Sequence, residues 1–164
     1  GKVLCKQDIK DASYSEDADE WTAMVVLQFP SVAQAVTWHD SEEYAEAKAL
    51  RLETSTGQFA IIEGPDFGNY HGFLGAFIKV NDPVAFAKYA PTKTLGAYEA
   101  RRTYNKVDDL PYAEGLENYD AAVLIAFPQR MGGTGWMTST EYKPDRDLRL
   151  STTSGPCAII GTDE

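Results

Sequence analysis

The sequence has few of the residues that bind metals and prosthetic groups. Its 164 residues include only two cysteines and two histidines. Cys5 and Cys157 show no metal-binding spacing, and no Ser-His-Asp or Cys-His set is visible, so neither a metal site nor a cofactor is expected. Both cysteines lie in apolar, strand-like segments. They are therefore predicted to be free, buried thiols, which is typical of a reducing, cytoplasmic setting.

Positive charge is also scarce. Lys and Arg number 15 against 25 Asp and Glu, which gives a net charge of −10. Such a chain has no basic surface for nucleic acid or for an anionic membrane, and both are excluded as partners. No run of 18 apolar residues occurs, so no membrane-spanning helix is expected. The partners that remain are a small-molecule ligand and other polypeptide chains, including a homo-oligomer.

The sequence contains a long internal repeat. Met24–Ile62 aligns without a gap to Ala122–Ile160, which lies 98 positions later (122 minus 24), and 15 of the 39 aligned pairs are identical. Unrelated sequences would share about two or three. A repeat unit of this length is a whole small domain rather than one turn of a solenoid. We therefore predict two copies of one fold, a first copy at residues 1–66 and a second copy at residues 72–164.

The second copy shows the complete order of elements. Strands are predicted at Phe73–Val80, Ala97–Asn105, Ala121–Phe127 and Cys157–Ile160, and helices are predicted at Val84–Leu95 and from about Ser139. The resulting β-α-β-β-α-β order is the ferredoxin-like pattern, in which one layer of helices packs on an antiparallel sheet. The fold class is therefore α+β.

The first copy is incomplete at its N-terminal side. Gly1–Lys6 aligns with Gly96–Arg101, so an equivalent of Gly72–Leu95, the first strand and first helix, is missing. The first strand of a ferredoxin-like sheet is central, and its neighbours would otherwise expose unpaired backbone. An N-terminal fragment or a strand from a partner is therefore expected to complete this copy. The alternative is that the first copy has rearranged to fold without it.

Two segments carry a resemblance to a known family. The pattern F-P-S-x-x-x-A-x-x-W-x-x-S-x-E-Y-x-x-A-K-x-L-R at Phe29–Arg51 resembles a small domain of unknown function in the dimeric α/β-barrel superfamily, and Ile78–Tyr89 resembles the start of that domain. The resemblance implies two ferredoxin-like units whose sheets close a barrel. In a tandem chain this pseudo-dimer would be internal. The superfamily includes folds similar to polyketide cyclases, cofactorless monooxygenases, haem-degrading enzymes and lactone isomerases, but fold alone does not define function.

Five residues are candidates for catalysis. Period-two alternation places Tyr98, Arg102 and Tyr104 on one face of the predicted second strand, where Arg and Tyr could hold an anion or polarise a carbonyl. The same set could be ordinary cross-strand packing. His39 and His71 are the histidines that could act as a general base, although both positions also suit exposed side chains.

Four residues that recur in both copies are candidates for substrate binding. Trp38 and Trp136 could form a pocket wall or belong to the core. Arg51 and Arg149 could anchor an anion, or could form a salt bridge or contact a helix C-terminus. These residues favour a cofactor-independent enzyme that isomerises, cyclises, dehydrates or oxygenates a small aromatic or polyketide-like molecule. The alternative is a non-catalytic binding or assembly protein whose incomplete sheet another segment completes; haem binding is a weaker possibility.

Overall fold

The structure, a computed structural model that describes residues 1–164, is a mixed α+β fold. Its strands are β1 (Lys2–Asp8), β2 (Tyr14–Glu16), β3 (Ala23–Gln28), β4 (Phe59–Ile61), β5 (Gly72–Val80), β6 (Arg101–Lys106), β7 (Tyr112–Glu114), β8 (Ala121–Phe127), β9 (Thr153–Ser154) and β10 (Cys157–Gly161). Its helices are α1 (Val32–His39), α2 (Glu42–Thr54), α3 (Pro83–Phe86), α4 (Thr92–Leu95), α5 (Arg130–Met137) and α6 (Lys143–Thr152). None of these helices combines the length and the apolar character needed to cross a bilayer.

The largest sheet has the antiparallel order β2-β10-β5-β8-β6, and the short strand β9 also pairs with β5. Strands β5 and β8 are central and mostly buried, which explains why both are nearly continuous apolar runs in the sequence. The four second-copy strands β10, β5, β8 and β6 are thus the last, first, third and second main strands of that copy in chain order. Only β2 comes from the first copy.

Two apolar cores lie on opposite faces of this sheet. The larger core is formed by strand residues and by residues from α4, α5 and the start of α6, among them Leu74, Leu95, Ile125, Trp136 and Tyr142. The smaller core joins the other face of the sheet to the β1–β3 pair, and it contains Val26, Phe67, Phe73, Ala126 and Ile160. The central sheet is therefore covered by helices on one side and by the β1–β3 pair on the other.

Short strands cross between the two copies. Strand β2 of the first copy pairs with β10 of the second, and β7 of the second copy pairs with β4 of the first. These two short strands, which we call the arms, begin 98 residues apart, at Tyr14 and Tyr112. Each copy therefore adds one strand to the edge of the other.

Three predicted elements differ from the structure. The predicted strand Ala97–Asn105 begins only at Arg101, because Gly96–Tyr98 forms a 3-10 turn and Glu99 adopts a left-handed conformation with φ 53°. The predicted helix Val84–Leu95 is divided into α3 and α4. The helix expected from about Ser139 begins at Lys143, and a separate helix α5 precedes it. The glycines in α5 allow it to approach the sheet, since a Cβ on Gly133 would lie 3.0 Å from the ring of Phe127.

The register of the β1–β3 pair also corrects the alignment of the N-terminus. Cys5 lies opposite Val26, and Thr103 lies opposite Leu124. The residue 98 positions after Cys5 is therefore its structural counterpart, rather than the residue 95 positions after it, as the alignment of Gly1 with Gly96 predicts. A bulge between Val3 and Cys5 shifts the register by one further residue, so that Val3, opposite Leu27, corresponds to Arg102, opposite Ile125.

No strand occupies the position in the first copy that β5 has in the second. Strand β3 pairs only with β1, and β4 pairs only with β7, so each has a free edge. The apolar side chains next to this gap are exposed: Leu27 is 37% exposed, whereas its counterpart Ile125 is 3% exposed. We call the space between the free edges of β3 and β4 the open slot.

Candidate functional site

A cavity that opens to solvent lies between the central sheet and the helices of the second copy. The strands supply apolar side chains to its floor, while Trp136 and Met137 of α5 form one wall. Four polar side chains also line it, and they are Tyr89, Arg102, Tyr142 and Arg149. None of the lining side chains carries a carboxylate or an amide, so its strongest polar groups are hydrogen-bond donors.

Arg102 is positioned by strand alternation. It lies opposite Ile125 on β6, and its side chain lines the cavity, whereas the guanidinium of neighbouring Arg101 lies over the Tyr70 ring. The Arg102 guanidinium carbon lies 5.0 Å from the centre of the Tyr104 ring, but the side chain has no carboxylate partner and no hydrogen bond within the protein. Burial lowers the pKa of Arg102. A cation that is partly desolvated and unpaired is a strong attractor for an anion.

A chain of hydrogen bonds reaches the cavity from the arm of the first copy. Arg149 donates from Nη1 to Glu16 Oε1 (2.7 Å) and from Nη2 to Glu16 Oε2 (2.9 Å), and Tyr14 donates to the same carboxylate. Arg149 Nε donates to the Tyr142 hydroxyl (3.2 Å), which lies 2.6 Å from the Tyr89 hydroxyl. The chain therefore runs from Glu16, through Arg149 and Tyr142, to Tyr89 at the cavity.

The electrostatics of this chain keep its charges in place. Burial opposes ionisation of Glu16, but the hydrogen bonds and charge of Arg149 outweigh it and lower the pKa of that carboxyl. Burial also opposes the charge on Arg149, and Glu16 again outweighs it, so the pKa of Arg149 is raised. Burial raises the pKa values of Tyr89 and Tyr142. At neutral pH both tyrosines are therefore neutral hydrogen-bonding groups rather than bases.

The first copy contains the equivalent chain. Arg51 donates to both oxygens of Glu114 (3.0 and 3.2 Å) and, through Nε, to the Tyr44 hydroxyl (3.1 Å). Tyr112 also donates to Glu114. The hydrogen bond from Arg51 and the other groups around the carboxyl lower the pKa of Glu114 to about 2. Each of these residues lies 98 positions from its counterpart in the second chain, so Arg51 and Arg149 both form salt bridges between copies.

The two tryptophans have the same neighbours but different exposure. Trp136 is fully buried, stacks on Tyr142 with ring centres 3.8 Å apart, and donates from Nε1 to the hydroxyl of Thr94 (2.8 Å). Trp38 stacks on Tyr44 at 4.1 Å but is only half-buried, because it lies beside the open slot. Trp136 thus forms a wall of the cavity, and Trp38 lies in the corresponding place of the incomplete copy.

The two histidines have different surroundings. His39 is 2% exposed, its ring nitrogens lie 3.1 Å from Asp40 Oδ1 and 3.3 Å from Glu114 Oε1, and its ring centre lies 4.1 Å from that of Tyr112. His39 therefore belongs to the junction of the first copy with the second-copy arm. His71 is exposed, immediately before β5, and its carbonyl accepts a hydrogen bond from Thr162. Neither lines the cavity.

Of the three residues expected on one strand face, only two share it. Tyr98 lies in the 3-10 turn before β6, beside Gly135 of α5, and is absent from the cavity lining. Arg102 and Tyr104 alternate correctly on β6, but Tyr104 contacts Arg102 from outside the cavity lining and is 37% exposed. Arg102 is therefore the one member of the set that lines the cavity.

Sequence reasoning missed three members of this site. Tyr89 and Tyr142 line the cavity, and Glu16 holds Arg149 in place. A signal for two of them was present: Tyr142 recurs as Tyr44, and the Tyr-x-Glu spacing of the first arm recurs in the second. Tyr89 has no counterpart in the first copy, because the equivalent segment is missing.

The chain was compared with models of known protein families. Residues 1–65 match the family model of a domain of unknown function (DUF1330). No curated protein matches the chain. The described side chains also include no group of three or more His, Cys, Asp or Glu that could hold a metal ion.

Proposed function

We propose that the chain is a tandem of two ferredoxin-like units that form an internal dimeric α/β-barrel pseudo-dimer. The strand order β10-β5-β8-β6 supports this for the second copy, because it is the order of a ferredoxin-like sheet. The crossing arms and the paired Arg–Glu bridges support a two-fold relation between the copies. The first copy is the incomplete unit, and the second carries the functional cavity.

We propose further that this cavity binds a small aromatic or polyketide-like molecule with an anionic oxygen, on which the protein acts as a cofactor-independent enzyme. The observation that carries the proposal is Arg102, a partly buried guanidinium without a hydrogen-bond or ion-pair partner in the protein, placed among apolar strand side chains and Trp136. An apolar cavity with a few convergent polar groups is the usual form of a small-molecule site. The apolar walls suit a ring, and Arg102 suits a carboxylate, enolate or phenolate.

The proposed reactions share one requirement that Arg102 meets. Isomerisation, cyclisation, dehydration and oxygenation of such molecules all develop negative charge on a carbonyl or phenol oxygen. A guanidinium already fixed in a poorly solvated site stabilises that charge without reorganisation of solvent. The neutral hydroxyl of Tyr89, at the cavity, supplies a hydrogen bond to the same oxygen.

Ligand titration tests this proposal. Benzoate and salicylate are titrated against the protein by NMR or calorimetry, with benzamide as the neutral counterpart of benzoate. Substitution of Arg102→Gln is expected to weaken the two anions by roughly 10- to 100-fold, as for loss of a hydrogen bond to a charged group, and to leave benzamide unchanged. Arg101→Gln is the matched control, since Arg101 belongs to the same strand but lies over Tyr70. Equal affinity of the unaltered protein and the R102Q variant for both anions would contradict the proposal.

A second function is favoured by a separate observation, the open slot. Phe29, Trp38 and Tyr44 are half-buried around it, whereas their counterparts in the second copy, all of the same residue type, are fully buried. Free edges on β3 and β4 attract a further strand. We propose that a polypeptide segment with the strand-then-helix pattern of residues 72–95 fills the slot, which would give the protein a role in assembly.

A fusion tests the slot. A copy of residues 72–98 is joined ahead of Gly1, and a control fusion carries polar residues at the apolar strand positions. The first fusion is expected to raise Tm and to slow hydrogen exchange in β3 and β4, because it pairs their free edges and buries the apolar side chains around them. The control is expected to do neither. Identical exchange in the two fusions would refute the proposal.

A further inference from the structure

The anion site proposed above has a second hydrogen-bond donor, the hydroxyl of Tyr89, and this residue has no counterpart in the first copy. We propose that Tyr89 donates its hydroxyl proton to the bound anion beside Arg102, and that Glu16 of the first copy positions this donor through Arg149 and Tyr142. The inference rests on the proposed function and deepens it in two ways. It specifies a ligand with two acceptor oxygens, such as a carboxylate or the enolate of a 1,3-dicarbonyl compound, and it assigns a residue of one copy to the site of the other.

The direction of the hydrogen bonds follows from counting protons. The Arg149 guanidinium can only donate, so the Tyr142 oxygen accepts from its Nε. The Tyr142 side chain is fully buried, and apart from Arg149 its hydroxyl has one partner, the Tyr89 oxygen at 2.6 Å. We therefore assign the Tyr142 proton to Tyr89, since a buried hydroxyl donor without an acceptor is costly. The Tyr89 oxygen is then an acceptor in this pair, and its own proton is free.

The hydroxyl proton of Tyr89 has no acceptor within the protein. Tyr89 is half-buried and lines the cavity together with Arg102. The cavity therefore presents two donors, one cationic and one neutral, and no carboxylate or amide side chain faces them. A ligand whose polar group has two acceptor oxygens satisfies both, whereas a neutral amide satisfies them less well and an ammonium group is repelled by Arg102.

Glu16 acts at a distance in this arrangement. It holds both terminal nitrogens of Arg149, which leaves only Nε to face Tyr142. Without the carboxylate, the guanidinium is released to rotate, and Tyr142 loses the donor that sets its orientation. Glu16 does not line the cavity, so it is a positioning residue, and in the proposed arrangement its effect passes through Arg149 and Tyr142 to Tyr89.

Benzoate affinity measured on the full chain tests the inference. Tyr89→Phe is expected to lower the affinity for benzoate by about tenfold, in the range for a hydrogen bond to a charged group, and to leave the affinity for benzamide nearly unchanged. Glu16→Gln is expected to weaken benzoate by a smaller factor, about threefold. Tyr119→Phe is the control for the tyrosine, because its hydroxyl has no partner in the protein, and Glu114→Gln is the control for the glutamate, because it breaks the equivalent chain in the first copy.

The double variant separates positioning from a general structural effect. If Glu16 acts through Tyr89, Glu16→Gln adds no further loss of benzoate affinity once Tyr89 is Phe; additive losses would overturn the positioning role. Benzoate binding that depends on Arg102 but is the same in the Tyr89→Phe variant would overturn this inference alone. Failure of the unaltered protein to prefer benzoate to benzamide would overturn the anion site and this inference with it.

Discussion

The two salt bridges between copies differ in burial, and this difference predicts unequal losses of stability. The side chains of Arg149 and Glu16 are 11% and 13% exposed, whereas those of Arg51 and Glu114 are 32% and 19% exposed. Truncation of Glu16→Ala leaves the Arg149 guanidinium enclosed and without its partner. Removal of one partner from a buried pair costs about 3–5 kcal/mol. The truncation is therefore expected to lower the free energy of unfolding by nearly this amount.

The same truncation in the first copy should cost less. Arg51 reaches solvent once Glu114 is gone, so the loss is closer to that of a hydrogen bond to a charged group, about 1.5–3 kcal/mol. For a chain of this size each kcal/mol shifts Tm by about 2–4 °C. Urea unfolding at neutral pH, with linear extrapolation, measures both variants against the unaltered protein.

A double variant completes this prediction. Replacement of both partners, Glu16→Ala with Arg149→Met, removes the stranded charge and restores an apolar contact, so it should recover at least about 2 kcal/mol relative to Glu16→Ala alone. Two results would refute the reasoning: a loss for Glu114→Ala as large as that for Glu16→Ala, or a double variant less stable than the single one. Either result would mean that burial does not govern the contribution of these pairs.

Two further predictions concern acid stability and helix packing. The pKa of Glu114 is about 2 in the folded protein, and its ordinary value is 4.5. Its ion pair therefore stabilises the fold fully above pH 4.5, and this contribution is lost as the pH falls toward 2. Calorimetry should show that the Tm difference between the unaltered protein and Glu114→Gln shrinks over that range, and a constant difference would contradict the prediction. In α5, Gly132→Ala should stabilise by about 1 kcal/mol, because its Cβ meets Phe127 only at 3.8 Å. Gly133→Ala should be about 1–3 kcal/mol less stable than Gly132→Ala, since its Cβ comes within 3.0 Å of the buried Phe127 ring, and equal Tm values would refute this.

The sequence predicted the central strands well because their signal is local. The apolar runs Phe73–Val80, Ala121–Phe127 and Cys157–Ile160 agree with β5, β8 and β10 to within one residue at each end. The predicted start of β6, the strand between β5 and β8, was too early for an equally local reason. Tyr98 belongs to an alternating pattern, but the left-handed conformation of Glu99 interrupts the strand, and nothing in the pattern indicates it.

The site was less predictable because its contacts are long-range. Arg102 could be identified as a charged residue within a strand pattern. Glu16 and Arg149 are 133 residues apart in sequence, and they meet only because β2 crosses to pair with β10. Tyr89 meets Tyr142 only after two short helices fold over the sheet. The periodicity of apolar residues predicts which side chains share a face of a strand or helix, but it does not predict which other element that face will contact.

The contacts between the arms and the helices recur at positions 98 residues apart, whereas Arg102 and Tyr89 of the cavity do not recur. Both copies contain the Arg–Glu bridge and the tyrosine on Arg Nε, which hold each arm to the other copy. Arg102, in contrast, corresponds by sheet register to Val3, and His39 has Met137 at the position 98 residues later.

The cavity of the second copy depends on residues of the first copy. Residues 72–164 alone would contain Arg102, Tyr89 and Tyr142, but they would lack Glu16 and leave both Arg149 and the outer edge of β10 unpaired. An unpaired strand edge and a stranded guanidinium are each destabilising. The isolated second copy is therefore expected to have the walls of the cavity without a fixed arrangement of its donors. The arm from the first copy is the element that supplies that arrangement.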